Sequence, residues 1–246
     1  MVLSSFFVAN ALIAECIGVK IFSLEKTLGL NQLNATVFGQ PGISFNLTCG
    51  VLLWPLEFIM TDIINEYFGL KGVRRVSYIA VGLISYAFIM FYLAMKLSPA
   101  DFWTGVNATK GVPDMTFAFN AIFGQGMWII FGSLTAFLVS QIVDVTVFHW
   151  VKRKTGEKKM WLRATGSTLV SQIVDSFIVL FIAFYIGQGW SMNLVLAICL
   201  FNYTYKFLAA ILLTPVMYLV HNFIDKYLGD ELASEMKHAA MKRSNE

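Results

Sequence analysis

Six apolar stretches of about twenty residues or more dominate this chain, at roughly 3–24, 43–66, 76–96, 118–150, 164–187 and 193–224. A helix of about 20 apolar residues crosses a hydrocarbon core about 30 Å thick. The expected fold class is therefore all-α: a polytopic integral membrane protein of six transmembrane helices. Hydrophobic residues make up 57% of the 246, charged residues 13%, and mean hydropathy is +0.68. A soluble domain carries about 25% charged residues. That deficit excludes most soluble enzymes, nucleic-acid binders and disordered proteins. The fourth stretch is too long for one simple span, so 117–125 is expected to be interfacial or looped, with Gly124 and Gly126 marking a break. The domain organisation expected is a transmembrane domain over 1–225 and a polar cytoplasmic tail over 226–246, a short helix or a frayed end.

Lysine and arginine set the orientation. Lys71, Arg74 and Arg75 follow the second span. Lys152, Arg153, Lys154, Lys158, Lys159 and Arg163 follow the fourth. Lys226, Lys237, Lys242 and Arg243 lie in the tail. Those thirteen face only Lys26, Lys96 and Lys110 on the opposite side. The excess of positive charge marks the cytoplasmic face, which places both termini there.

Several chemistries are not expected. Cys16, Cys49 and Cys199 lie far apart in apolar stretches, with no CxxC and no histidine at ligand spacing. Neither a disulfide nor a zinc site is predicted, and no cofactor. No basic stripe of the nucleic-acid type is present, and the net charge is only +3. The N-terminus lacks a basic leader and a small-residue cleavage site, so the first span is expected to stay as an anchor. A lipobox-like Ile13-Ala14-Glu15-Cys16 fails at Glu15. Asn-x-Thr triplets at Asn34, Asn46, Asn107 and Asn202 carry no information by themselves.

The chemistry lies in the charges. Glu15, Lys20, Glu57, Asp62, Glu66, Asp144, Asp175 and Lys206 fall within or at the edges of spans. Each costs about 2.5–3.5 kcal/mol at mid-helix even on a lenient insertion scale, so they must face a shared interior. The string Val139-Ser-Gln-Ile-Val-Asp144 recurs 31 residues later as Val170-Ser-Gln-Ile-Val-Asp175. Gln141 and Asp144 share a helix face, as do Gln172 and Asp175. The two spans are consecutive, hence antiparallel, so the copies present one polar face in opposite directions. Many transporters hold substrate at the interface of inverted repeats. Helix glue is the alternative role for these groups.

Asp62 shares a face with Asn65 in the second span. Glu66 lies beside the basic loop and is expected to pair with Lys71, Arg74 or Arg75. Pro55 is expected to free a carbonyl and kink that span. In the sixth span Asn202 and Lys206 are one turn apart, beside Tyr203 and Tyr205. Lys206 needs a buried carboxylate, Asp144 or Asp175. His149 is read as interfacial packing. Glu15 and Lys20 are about 140° apart around a helix and do not pair along one face. At 1.5 Å per residue, Asp144, Asp62 and Asp175 lie about 12, 13 and 18 Å from the nearest cytoplasmic basic residue, within one slab.

These residues carry a resemblance. The segment from Pro55 to Gly69 (PLEFIMTDIINEYFG), the doubled SQIVD, the basic loop with Gly166-Ser167 beyond it, and Asn202-Tyr203-Thr204-Tyr205-Lys206 are similar to the queuosine precursor transporters. These are also called the vitamin uptake transporter family or the YhhQ-like proteins. The likeness runs from the first span to about Asp225. It implies a multi-pass protein of the bacterial inner membrane that imports 7-cyano-7-deazaguanine or 7-aminomethyl-7-deazaguanine for tRNA modification, with no enzymatic activity. It puts Asp62, Asp144, Asp175 and Lys206 on the family's recurring intramembrane positions. The partners expected are a nucleobase-like small molecule and the lipid bilayer, with no nucleic acid. The full candidate set for substrate is Asp62, Asn65, Gln141, Asp144, Gln172, Asp175, Asn202 and Lys206. The chemistry is consistent. A carboxylate accepts the two N–H donors of a guanine-like edge, an amide or ammonium serves its carbonyl, and aromatic rings stack on the flat base.

Other classes compete. Asp144 and Asp175 suggest an intramembrane aspartyl hydrolase, but the Gly-x-Gly-Asp signature of those proteases is missing. A substrate-binding subunit with a separate energising module is another reading, for this or another vitamin-like solute. This chain has no P-loop, so ATP would act through a partner. A channel fits less well, because the polar groups are clustered rather than spread over every helix.

Overall fold

A computed structural model describes residues 2–155 and 160–244. The chain is largely helical. Helix α1 covers Val2–Ile17, α3 Trp54–Lys96, α5 Met115–Thr155, α6 Met160–Leu180, α7 Met192–Leu228 and α8 Asp230–Ser244, with short helices α2 at Leu24–Thr27 and α4 at Asp101–Thr104. Helix α6 continues as a π-helical segment, Phe181–Ile186. Among the described residues, Ile63–Lys96, Met115–Asp144, Leu169–Ile186 and Met192–Leu213 are long and apolar enough to cross a membrane, and Val2–Ile17 is a shorter apolar helix.

The exposed surface shows which solvent the fold is built for. On α3, Val76, Ala80, Ile84 and Phe88 are buried. Ile79, Leu83, Tyr86, Met90 and Leu93 of the same helix are exposed and fall three or four residues apart, a continuous apolar stripe. A water-soluble monomer avoids an apolar patch that long. Against lipid tails it costs nothing.

Several boundaries differ from the hydropathy reading. Helix α1 ends at Ile17, so Lys20 lies beyond it, where its carbonyl accepts the N–H of Cys49 at 2.8 Å. The segment 21–48 holds two short ribbons. Strand β1 (Ile21–Ser23) lies beside β4 (Asn46–Thr48), and β2 (Ala35–Val37) pairs antiparallel with β3 (Gln40–Ile43). Phe38 and Gly39 both take positive φ, 49° and 75°, as a two-residue hairpin loop requires. Strands this short carry little hydropathy signal, so the end of one expected span and the start of the next were absorbed into neighbouring apolar runs.

Pro55 sits in the first turn of α3, where a missing N–H costs nothing, and makes no kink there. The break comes at Gly69, with φ 74° and ψ 179°, a conformation only glycine takes without strain. It redirects the chain just before Lys71, Arg74 and Arg75, so the expected loop is almost entirely helical. Met60 and Ile64 before the break share one cluster with Val73, Val76 and Ala80 after it, and with Phe7 of α1. Helix α5 runs unbroken through Gly124 and Gly126, against the expected break. Glycine costs a helix only about 1 kcal/mol relative to alanine, less than the lipid penalty for opening the backbone.

The chain forms two compact units, one of Met1–Lys20, Thr48–Gly124 and Ala209–Glu246, the other of Ile21–Leu47 and Gln125–Leu208. In the first, α1 packs on the 3-10 turn Cys49–Leu52, where a Cβ on Gly50 would lie 2.7 Å from the Ala14 carbonyl oxygen. The tail is an ordered helix: Ala233 of α8 is buried against Ile63 and Tyr67 of α3. In the second, Leu180, Ala183, Phe184, Val195 and Cys199 form the core between α6 and α7.

The Gly50 contact predicts a stability difference. Gly50→Val is expected to lower the melting temperature in detergent, at a cost of about 1–3 kcal/mol for overpacking. Gly82→Val, where an added Cβ meets nothing within 4 Å, is expected to leave it nearly unchanged. Equal melting of the two variants would contradict this packing.

Candidate functional site

Helices α5 and α6 cross antiparallel, and small residues let them approach. A Cβ on Gly132 would lie 3.1 Å from the Val179 carbonyl oxygen, and one on Gly187 would lie 2.7 Å from Trp128 Cγ. Towards the other end Ser171 Oγ donates to Asp144 Oδ1 at 3.4 Å. Trp128 opposite Gly187 and Asp144 opposite Ser171 define one register, in which each step along α5 is matched by a step back along α6. The two SQIVD strings are therefore hydrogen-bonded to each other, serine of the second copy to aspartate of the first.

That register also sets Ser140 against Asp175, but the two ends are not used alike. Ser140 donates to the Phe137 carbonyl at 3.1 Å. Asp175 pairs with Lys206 of α7, with Nζ 2.7 Å from Oδ2. Lys206 is 4% exposed and Asp175 20%. Asp175 is thus neutralised on one oxygen and still partly exposed. Asp144 has a different shell: the buried hydroxyls of Ser167 and Ser171, one turn apart on α6, both hydrogen-bond to it. Each carboxylate has its own partners, rather than the shared proton that an aspartyl dyad needs.

The remaining expected residues divide. Asn202, one turn before Lys206 on α7, donates through Nδ2 to the Ile198 carbonyl at 3.1 Å, which presents its side-chain oxygen. Cys199 is close enough for the charges of Lys206 and Asp175 to act on it. Gln172 is half-buried on α6, in the same unit. Asn65 is half-buried in the other compact unit. The side chains of Asp62, Gln141 and His149 lie outside the described residues, as do Lys158 and Lys159 of the basic loop. The structure thus brings Asp144, Asp175, Asn202 and Lys206 into one unit.

Ser167 and Ser171 were legible in principle. Ser171 belongs to the repeated string, and Ser167 precedes it by one helical turn. The segment 21–47 belongs to the same unit, although hydropathy assigns its two ends to the first and second spans and only 25–42 to the connection between them. Glu25 accepts the Phe45 N–H at 2.8 Å and the Ser23 hydroxyl at 3.1 Å. Burial works against the charge, but those hydrogen bonds outweigh it and hold the carboxyl below its usual range. Phe45 is thereby set against Phe201 of α7, ring centroids 4.7 Å apart, next to Asn202.

In the first unit Glu66 finds a different partner from the one expected. Lys237 of α8 lies 4.0 Å from Glu66 and 2.8 Å from Asp225, and the Tyr67 hydroxyl donates to Asp225 at 2.7 Å. The Lys237 ammonium, with the Tyr67 hydroxyl, holds the Asp225 carboxyl below its usual range. The partner comes from the tail because α8 folds back onto α3, which no local pattern announces.

A bundle of lipid-facing helices that buries an ion pair and a serine-held carboxylate beside an amide defines a multi-pass membrane protein with a polar site inside its fold. Comparison with known proteins carries this to a family. Residues 48–220 match the family model described as "Putative vitamin uptake transporter", and the chain belongs to that family. A protein of Bacillus subtilis (strain 168) named "Probable queuosine precursor transporter" is 30% identical over 182 residues, 72% of each chain. The "Queuosine precursor transporter" of Escherichia coli (strain K12) is 27% identical over 209 residues, 82% of this chain and 83% of that one. A Haemophilus influenzae protein named "Probable queuosine precursor transporter" is 26% identical over 207 residues, 81% and 77%. No solved structure matches the chain.

The ion pair makes a double-variant prediction. Lys206→Met leaves the Asp175 charge buried and uncompensated, at an expected cost of about 3–5 kcal/mol. Lys206→Met with Asp175→Asn removes both charges at nearly unchanged volume and is expected to recover most of the loss. Thermal melts in detergent on both single variants and the double variant measure this. A double variant no more stable than Lys206→Met would mean that the pair is not what holds Lys206.

Proposed function

We propose that this chain is a transporter of queuosine precursors, importing 7-cyano-7-deazaguanine or 7-aminomethyl-7-deazaguanine across the bacterial inner membrane. The observation that carries the reading is Asp175, charge-paired to Lys206 inside an apolar bundle and still partly open. Membership of the vitamin uptake transporter family and the names of three relatives support the substrate class. A deazaguanine presents adjacent ring and exocyclic N–H donors and a carbonyl. In this reading Asp175 accepts the donors, with Lys206 holding it ionised and oriented. Asn202 contributes its amide oxygen one turn away. Asp144, fixed by Ser167 and Ser171, with Gln172 of the second repeated string, contributes further acceptor and donor groups from the same unit. Leaving a polar base edge unpaired in a dry site costs several kcal/mol, so the pairing discriminates among bases.

The topology proposed is six spans with cytoplasmic termini: α1, the two parts of α3 divided at Gly69, α5, α6 with its π segment, and α7. It rests on the thirteen basic residues assigned to one side and on the break at Gly69 beside three of them. The tail helix α8 would lie in the cytoplasm. A fluorescent protein fused after Glu246 is expected to mature and fluoresce, and alkaline phosphatase inserted after Asn107 to be active. The reverse pattern would invert the orientation.

Uptake of labelled 7-cyano-7-deazaguanine into cells that lack its synthesis tests the function. The chain is expected to support uptake. Asp144→Asn and the double variant Asp175→Asn/Lys206→Met are expected to reach the membrane yet lose about tenfold or more of the rate. That is the scale of one charge-assisted hydrogen bond, about 1.5–3 kcal/mol. Normal uptake by both variants would reduce these groups to helix glue. No uptake by the unmodified chain would remove the substrate assignment.

A further inference from the structure

A second polar feature of the fold lies in the first compact unit. The end of α3, the Ser98-Pro99 turn, α4 and the first turns of α5 border a half-open cavity of about 170 Å³. Met95, Ser98, Trp103, Thr116, Phe119 and Asn120 line it, and no lining residue is charged. Drug-sized ligands occupy about 300 Å³ or more. Here there is room for five or six waters at about 30 Å³ each, or for one small bicyclic ring.

Three observations separate this corner from ordinary packing. Trp103 and Phe119 stand nearly perpendicular, 73° between planes and 6.4 Å between centroids. A flat ring laid on one of them meets the other edge-on, and aromatic pairs favour both geometries. The Thr116 hydroxyl is buried with no hydrogen-bond partner among the described residues. Such a group carries a desolvation cost that a bound donor or acceptor would recover. Asn120 is exposed, and its amide can donate and accept side by side, matching the N–H and C=O edge of a lactam. The floor is set by the first turn of α5, where Asp114 Oδ1 accepts the N–H groups of Thr116 and Phe117 at 2.7 and 3.2 Å.

We infer that this corner is a second binding site, distinct from the Asp175–Lys206 site, that takes one uncharged bicyclic nucleobase by ring stacking on Trp103 or Phe119 and hydrogen bonds to Thr116 and Asn120. This deepens the transport reading and rests on it. The chemistry also states what is refused. With no cation in its lining, the corner gives a nucleotide phosphate no counter-charge, so a free base binds and its monophosphate does not.

Calorimetry on purified protein with 7-cyano-7-deazaguanine tests the inference through stoichiometry. The unmodified chain is expected to bind two equivalents. The double variant Asp175→Asn/Lys206→Met is expected to keep one, and adding Trp103→Ala to it should abolish binding. Guanosine monophosphate is expected not to compete for the retained equivalent. Thr116→Val keeps the volume and removes the hydroxyl, so it should raise the melting temperature of unliganded protein while weakening the retained site about tenfold. A merely structural Thr116 would move the first readout and not the second. A single equivalent, lost in Asp175→Asn/Lys206→Met and unmoved by Trp103→Ala or Asn120→Ala, would overturn the second site and leave the transport reading standing. A retained equivalent that Trp103→Ala does not remove would overturn it as well. No binding by the unmodified chain would overturn both.

Discussion

An ammonium in the middle of a lipid-facing helix has no solvent to turn to, and Lys206 is 4% exposed on a helix that runs on from Phe207 to Leu213 without a polar residue. Asp175 Oδ2 lies 2.7 Å away and offsets that charge. That contact fixes the rotation of α7 against α6. Once α6 is set, the small residues Gly132 and Gly187 allow α5 to close on it, and Ser171 meets Asp144. The buried pair adds little net stability relative to an apolar pair of the same size, because both ions were stripped of water. Its value is in specificity: a rotated helix would strand a charge in hydrocarbon.

The repeated string is an economical way to build two different environments from one pattern. Crossed antiparallel, each copy offers a serine and an aspartate to the other. One end is used symmetrically, with serine on aspartate. At the other end α7 brings a lysine, and the aspartate there becomes half of an ion pair while Ser140 turns to its own helix. Identical sequences thus yield one carboxylate held by neutral hydroxyls and one held by a charge. The two carboxylates therefore differ in how much of their hydrogen-bonding capacity is already committed.

The segments outside the spans are more ordered than their polarity suggests. Glu25 clasps Phe45 through a backbone N–H, and Phe45 rests on Phe201, one residue from Asn202. Lys237 of the tail reaches Asp225 and Glu66, and Tyr67 completes that network. In the first case a charged side chain orders the segment internally and an aromatic pair seats it on α7; in the second the charge itself ties the tail to its helices.

Much of this protein was determined by sequence alone. Apolar runs required lipid-facing helices, because the bilayer imposes one length and one backbone solution on whatever crosses it. Charges in those runs had to be gathered inside, and the doubled SQIVD marked where. The family resemblance followed from the same residues and agrees with the family that residues 48–220 match. Tertiary structure decided the rest. Nothing in the spacing chooses Asp175 over Asp144 for Lys206, since both lie in identical strings; only the rotation of α7 against α6 makes the choice. Hydropathy cannot separate a helix end from a short strand or a glycine break, so the ribbons of 21–48 and the turn at Gly69 emerged only in the fold. Glu66 is adjacent in sequence to three cations, yet its partner is Lys237, because α8 folds back over α3 and proximity in space replaces proximity along the chain.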